Sequence, residues 1–363
     1  MRPTDGLTSS SGRGSGAVTP TFADGRRLRL LPTRTGGATA PDPRPLLDVR
    51  ALTKRFPVRG TASAIHAVDD VSFAIAPGES VGLVGESGCG KSTLVKLIAR
   101  LIDPTDGRIF FEGHDLGIIP ASRFATAQVR ARIQMVFQDP ADSLNPRFTA
   151  FDAIADPLRR LGALDGRAAL RQRVEEVAEL VGLPHALLGR YPHQLSGGQQ
   201  QRVGIGRAVA LSPSLLILDE PTSALDVSVQ AVILRLLADL RRQLGMAYLF
   251  VSHDLNVVRM VTERVLVMYL GKIVEAGRAD AIFDRPAHPY TRALVSAVPT
   301  IAGDRRQTRV RLTGEPRSPI DPSPTTCRFF GRCPDSFPRC EQEMPVLAPI
   351  DADHTAACHA PRR

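Results

Sequence analysis

At 363 residues, 43% of them hydrophobic and 23% charged, the chain is long enough to bury one large core with a smaller unit beside it. No run of about 18 uncharged apolar residues occurs, and the N-terminus has no charged-then-apolar signal, so neither a membrane span nor export is expected and the protein is placed in the cytoplasm. The net charge of +9 invites a nucleic-acid partner, but nearly half of it comes from seven Arg against three Asp in residues 1–45. That segment is rich in Gly, Ser, Thr and Pro and has no apolar period, so it reads as a disordered arm. Its Arg are not regularly interleaved with aromatic residues for base stacking, and no nucleic-acid partner is expected.

From Leu46 the texture changes to short apolar and β-branched runs, predicting strands over Leu46 to Phe56, Ala67 to Ile75 and Ser80 to Val84. The third runs into Gly85-Glu-Ser-Gly-Cys-Gly-Lys-Ser-Thr93 and a helical stretch from Leu94 to Leu101. A region of about 140–211 is helical in pattern, with apolar residues at three- and four-residue spacing over Ala169 to Leu183. Strands resume at Leu215 to Leu218 and Ala247 to Val251 around an amphipathic stretch from Val229 to Leu244, a strand-helix-strand unit that implies a parallel sheet. Two more strands, Val265 to Tyr269 and Lys272 to Glu275, turn at Leu270-Gly271. Beyond Ala287 the chain becomes rich in Pro, Arg and Cys with little periodicity, which marks a separate C-terminal extension over 287–363.

Gly85-x-x-x-x-Gly90-Lys91-Ser92 has the spacing of a phosphate-binding loop. Its glycines let backbone N–H groups converge on phosphate oxygens, and the next helix offers its positive end. Residues Gly85, Glu86, Ser87, Gly88, Cys89, Gly90, Lys91, Ser92 and Thr93 form this nucleotide-binding stretch, although Cys89 fills a variable position and has no role of its own. Lys91 suits the β- and γ-phosphates of ATP and the Ser92 hydroxyl suits Mg²⁺. The chain has only four Lys against 42 Arg, so a lysine at the one position that requires it is a pointed coincidence. Leu215-Leu-Ile-Leu-Asp219-Glu220 supplies a buried strand ending in two acids. Asp219 suits the magnesium shell, and Glu220 suits a base that polarises the water attacking the γ-phosphate. A glycine turn and a solvated acidic turn are the plain alternatives, and it is the company of the two motifs that favours catalysis.

With Leu195-Ser-Gly-Gly-Gln199, 104 residues after Lys91 and 20 before Asp219, the sequence resembles the ATP-binding subunits of ABC transporters. That resemblance implies an α/β fold: a RecA-like P-loop cassette over 46–286 with an antiparallel β portion and a helical subdomain inserted at about 140–211. It implies a head-to-tail dimer in which Ser196, Gly197, Gly198 and Gln199 of one subunit close over ATP held by the other. By the same resemblance Gln138 senses magnesium and γ-phosphate, and His253 contacts the γ-phosphate and aligns Glu220. Ser223-Ala-Leu-Asp226 lies between subunits, and Phe56 stacks on adenine.

The phrases Val84-Gly-Glu-Ser-Gly-Cys-Gly-Lys91, Gln134-Met-Val-Phe-Gln-Asp-Pro140, Ser143-Leu-Asn-Pro146 and His288-Pro-Tyr-Thr-Arg-Ala-Leu294 are closest to oligopeptide and dipeptide permease ATPases, and to their F-type partner. The partners so implied are a second ATPase subunit, identical or related, two transmembrane permease subunits and, indirectly, an extracytoplasmic binding protein. The chain would then work on the cytoplasmic face of the membrane as an ATP-hydrolysing motor. A non-transport ABC ATPase and a nucleotide-binding regulatory subunit are the rival classes.

The extension carries Cys327, Cys333, Cys340 and Cys358. Their clustering in a cytosolic chain argues for a metal site or reduced thiols rather than disulfides, although no Cys-x-x-Cys pair is present. The subfamily resemblance implies a [4Fe-4S] cluster on the four, with zinc, held together with His354 or His359, as the alternative.

Overall fold

The computed structural model describes residues 44–298 except residue 163, then residues 310, 312, 314–315 and 317–361, without the side chains of residues 140 and 141. The arm expected over residues 1–45 therefore lies almost wholly outside the described residues.

The chain opens with β1 (Leu47–Pro57), which pairs antiparallel with β2 (Ala64–Ile75). Next come β3 (Ser80–Val84), α1 (Lys91–Ile98), β4 (Asp106–Phe111), β5 (His114–Asp115), α2 (Ala121–Phe124) and β6 (Ile133–Val136). Four helices follow: α3 (Pro140–Ser143), α4 (Ala150–Leu161), α5 (Gly166–Leu180) and α6 (Gly197–Val209). Then follow β7 (Leu215–Asp219), α7 (Val227–Leu244), β8 (Ala247–Val251), α8 (Leu255–Val261), β9 (Arg264–Tyr269), β10 (Lys272–Arg278), α9 (Ala279–Asp284) and α10 (Pro289–Ser296). The tail adds α11 (Pro338–Gln342), β11 (Ala348–Asp351) and β12 (His354–Ala356). No described helix is long and apolar enough to cross a membrane.

Four strands form an antiparallel sheet in the order β2-β1-β4-β5, and eight form the main sheet in the order β11-β12-β10-β9-β3-β8-β7-β6. Strands β3, β7 and β8 are buried along their whole length, as continuous apolar strands in the middle of a parallel sheet must be. β3 pairs parallel with β8, β8 with β7, and β7 with β6, in a register that sets Leu83 and Asp219 against Val251, and Val136 against Leu218. Four parallel strands so aligned release their C-terminal ends along one edge, the place where open α/β sheets bind ligands. Those ends carry the glycine loop, His253, Asp219-Glu220 and Gln138.

Neither β6 nor the two strands β11 and β12 stands out in the sequence, because they are three or four residues long and β11 contains a proline. The extension, read as aperiodic, in fact joins the main sheet through β12, with Glu275 opposite Ala356 and Gly277 opposite His354. Glu275 is fully buried. Its carboxylate accepts the N–H of Ala287 at 2.7 Å and of His288 at 2.9 Å, and meets His354 Nε2 at 2.6 Å. A buried carboxylate survives only with such partners. The adjoining His288 ring is enclosed, and burial pushes its pKa down to about 4.

Candidate functional site

The loop after β3 owes its shape to glycines packed against backbone. A Cβ at Gly85 (φ +153°) would stand 2.2 Å from the Met268 carbonyl oxygen, and one at Gly90 (φ +112°) 2.1 Å from that of Ala67. Gly90 immediately precedes α1 as its N-cap. Lys91 is buried to 6% exposure, and its ammonium donates to the carbonyls of Gly85 at 2.7 Å and Glu86 at 3.0 Å. Ser92 and Thr93 follow in the first turn of α1.

Across the loop, Asp219 ends β7 with 7% exposure, and its Oδ1 is buried without a hydrogen-bond partner among the described residues. Burial raises its pKa, the Glu220 charge adds to the rise, and Lys96 and Lys91 oppose it. A buried carboxylate oxygen without a hydrogen-bond partner among the described residues, close enough to feel the charges of Lys91 and Lys96 on α1, fits a hard cation with oxygen ligands, so the residue fits magnesium. Glu220 sits at φ +47°, with its N–H donating to Val251 O at 2.9 Å, and its Oε2 lies 3.1 Å from His253 Nδ1. A single cleft of about 390 Å³ is lined by Ser87, Gly88, Gly90, Lys91, Ser92, Thr93, Gln138, Glu220 and His253, together with Ile65, His66, Ala67, Leu270, Gly271 and Pro319.

Comparison with known proteins gives this cleft its context. Residues 68–223 match the ABC transporter family and residues 274–340 match the family described as oligopeptide/dipeptide transporter, C-terminal region. The chain is 48% identical over 322 residues to the probable peptide ABC transporter ATP-binding protein y4tS of Sinorhizobium fredii (strain NBRC 101917 / NGR234), covering 86% of this chain and 89% of that one. This chain belongs to the ABC transporter ATP-binding family.

A second relative, the oligopeptide transport ATP-binding protein AppF of Bacillus subtilis (strain 168), is 44% identical over 328 residues, 88% of the ABC subunit described here and 99% of its own length. Among solved structures, the ATP-binding cassette MJ0796 bound to ADP and Pi superimposes with a TM-score of 0.58 at 30% identity, over 64% of this chain and 98% of that one. The chain is thus an ABC ATPase with the P-loop fold that its sequence implied.

Not every residue expected at the nucleotide faces this subunit's own cleft. Ser196, Gly197, Gly198 and Gln199 are absent from its lining. Ser196 caps α6, accepting from the Gln199 N–H at 3.4 Å while its own N–H donates to Gln199 Oε1 at 2.9 Å. Asp226 caps α7, accepting from Ser228 Oγ at 2.6 Å and Val229 N–H at 2.9 Å, and these bonds hold its pKa below the usual carboxylate range. Phe56 stands outside the lining, 37% exposed, on β1 opposite the cleft residue Ile65. Cys89 is buried with its thiol pushed up by burial.

Four contributors were not legible beforehand. Pro319 of the extension lines the cleft and accepts the His66 N–H at 2.9 Å. Tyr290 Oη takes the N–H of Glu86 at 2.8 Å, and Arg332 grips the Glu86 carboxylate at 2.9 and 3.2 Å. Gln201, 1% exposed, donates to Pro221 O at 2.7 Å and so ties the signature helix to the turn after Glu220. The phrase His288-Pro-Tyr290 was the one available signal, and it marked a subfamily rather than a contact.

The cysteine expectation fares differently. Among the described residues no group of three or more His, Cys, Asp or Glu could hold a metal ion as placed, so neither the iron–sulfur nor the zinc reading gains support. His354 Nε2 meets the Glu275 carboxylate at 2.6 Å and His359 Nε2 meets the Glu343 carbonyl at 2.9 Å. Burial raises the thiols of Cys327 and Cys358 and pushes Cys333 up to about 11, so these stay protonated at neutral pH.

Proposed function

We propose that this ABC ATPase energises the import of oligopeptides or dipeptides. It would work as one half of an ATPase dimer, with an identical or related partner, on the cytoplasmic face of two membrane subunits fed by an extracytoplasmic binding protein. The match over residues 274–340 and the peptide-transport names of the relatives support the substrate class. The observation that carries the motor itself is the meeting of Lys91, Ser92, Gln138 and the Glu220–His253 pair in one cleft.

In this reading Lys91 exchanges its two loop carbonyls for β- and γ-phosphate oxygens, while loop N–H groups and the start of α1 receive the rest of the triphosphate. Ser92, Asp219 and Gln138 would hold Mg²⁺, which neutralises phosphate charge when bound. Glu220 accepts the proton of the attacking water. His253 keeps that carboxylate oriented by donating from Nδ1, which requires the Nδ1–H tautomer. Phe56 stacks on adenine. Ser196, Gly197, Gly198 and Gln199 close over the partner's ATP, the Gly197 and Gly198 N–H groups at the positive end of the capped helix serving the phosphate, and Asp226 lies in the loop between subunits.

The test is uptake. Vesicles holding this chain with its partner ATPase and membrane subunits should accumulate a labelled peptide only with ATP inside. ATP hydrolysis with no peptide movement would overturn the substrate assignment and favour a non-transport role.

The finer cofactor reading is a [4Fe-4S] cluster on Cys327, Cys333, Cys340 and Cys358. Its support is that the four thiols influence one another electrostatically and that the Cys327 N–H donates to Cys340 O at 2.8 Å. Four thiols are the right donors, although loading must first displace their protons and draw them closer than they are placed here. The same preparation made anaerobically should contain stoichiometric iron and sulfide, and iron-free protein rejects the cluster.

A further inference from the structure

Glu86, the second residue of the phosphate loop, is an awkward group to find there. It puts a carboxylate beside the site that must receive a triphosphate, where Lys91 is the only lysine. Its charge is met by a residue 246 positions away: Arg332 Nη1 and Nη2 donate to its two oxygens at 2.9 and 3.2 Å. Parallel paired bonds of this kind fix geometry as well as charge. Arg332 is itself held in place, 9% exposed, with Nη1 3.2 Å from Tyr269 Oη and its guanidinium 5.8 Å from the centre of that ring.

Tyr290, fully buried, takes the Glu86 N–H at 2.8 Å. Its ring packs against Tyr269 with centroids 4.6 Å apart and against Phe329 at 5.6 Å. The anchor is therefore a rigid aromatic wall, shared between the cassette and the extension, and the thing it anchors is a loop whose glycines at 85, 88 and 90 all have positive φ. Such a loop is easily deformed, and holding it in its binding shape before ATP arrives lowers the cost of binding.

We propose that Arg332 and Tyr290 are positioning residues of the nucleotide site: from the C-terminal extension they cancel the charge of Glu86 and hold the phosphate loop in the shape that binds ATP. This rests on the reading that the cleft is the ATP site. It gives the extension a part in nucleotide affinity.

MgATP binding to the purified full chain, followed by titration calorimetry, tests it. Arg332→Met leaves Glu86 bare and should weaken binding about ten-fold, the scale of a lost charge-assisted pair, while turnover of the assembled transporter at saturating ATP stays within about two-fold. Adding Glu86→Gln to that variant removes the exposed charge and should restore most of the affinity. A merely structural role predicts no such rescue. Arg332→Lys keeps charge but loses the fork and should fall between, about three-fold weaker. Tyr290→Phe should weaken binding by a similar factor through the orphaned Glu86 N–H. If Arg332→Met does not melt cooperatively, the lysine variant with and without Glu86→Gln decides. Unchanged affinity in folded Arg332→Met and Arg332→Lys, or a double variant as weak as the single, overturns the proposal. Wild-type protein that binds no MgATP would instead refute the ATP reading beneath it.

Discussion

Replacing Glu220 by Gln is expected to remove at least about 100-fold of ATP turnover, at the lower end of what a positioned general base contributes, while ATP stays bound. The substitution is nearly isosteric and changes only the ability to accept a proton. The backbone of Glu220 is fixed on both sides, its N–H by Val251 O at 2.9 Å and its carbonyl by the Ser223 N–H at 3.2 Å. The amide oxygen can still receive the His253 Nδ1–H now paired with Oε2 at 3.1 Å. Geometry therefore survives and chemistry does not. Turnover should be measured in the assembled transporter, and the oligomeric state of the variant with MgATP followed by sedimentation, where an ATP-bound dimer that no longer reopens is expected. Activity retained within about ten-fold of wild type would move the base elsewhere.

Gly90→Ala is expected to abolish measurable ATP binding and lower stability by about 2 to 4 kcal/mol, the range for a strained, overpacked backbone position. The new Cβ would fall 2.1 Å from the Ala67 carbonyl oxygen and 2.7 Å from Met268 Cε, at a φ of +112°. The methionine end can swing aside. The carbonyl cannot, because Ala67 belongs to β2, whose Val68 and His66 are in register with β1. The loop must give instead, and with it the N–H groups that meet phosphate. Gly88 supplies the control: its φ is +79° and nothing lies within 4 Å of an added Cβ. Gly88→Ala should cost about 1 kcal/mol and keep binding. Calorimetric affinity and thermal melts of the two variants decide, and equal behaviour would show that close backbone approach is not what the loop requires of Gly90.

The parts of this protein legible from sequence are those whose physics is local. The apolar runs of β3, β7 and β8 announce buried parallel strands because every residue in them is covered. The glycine spacing announces the phosphate loop because φ above zero is a property of single residues. The Asp219-Glu220 pair ends such a strand, and its company with the phosphate-loop motif is what favours a catalytic reading over a solvated turn. Helix caps are local too, which is why Ser196 and Asp226 appear within this chain as caps, and the roles that the family resemblance implies for them lie between two subunits.

What only the tertiary structure decided are contacts that leave no period behind. The order β3-β8-β7-β6 brings four strand ends to one edge, and no segment carries that order by itself. Strands of three or four residues such as β6 and β12 exist because a neighbour offers free backbone groups, so their own sequence need not signal them. Arg332 looks like one of 42 arginines, and Glu86 like a variable loop position, until the fold sets them 2.9 Å apart. The same holds for Glu275, whose burial is tolerable only because Ala287, His288 and His354 arrive around it. A charge declares its role through its partner, and across hundreds of residues that partner is chosen by packing alone.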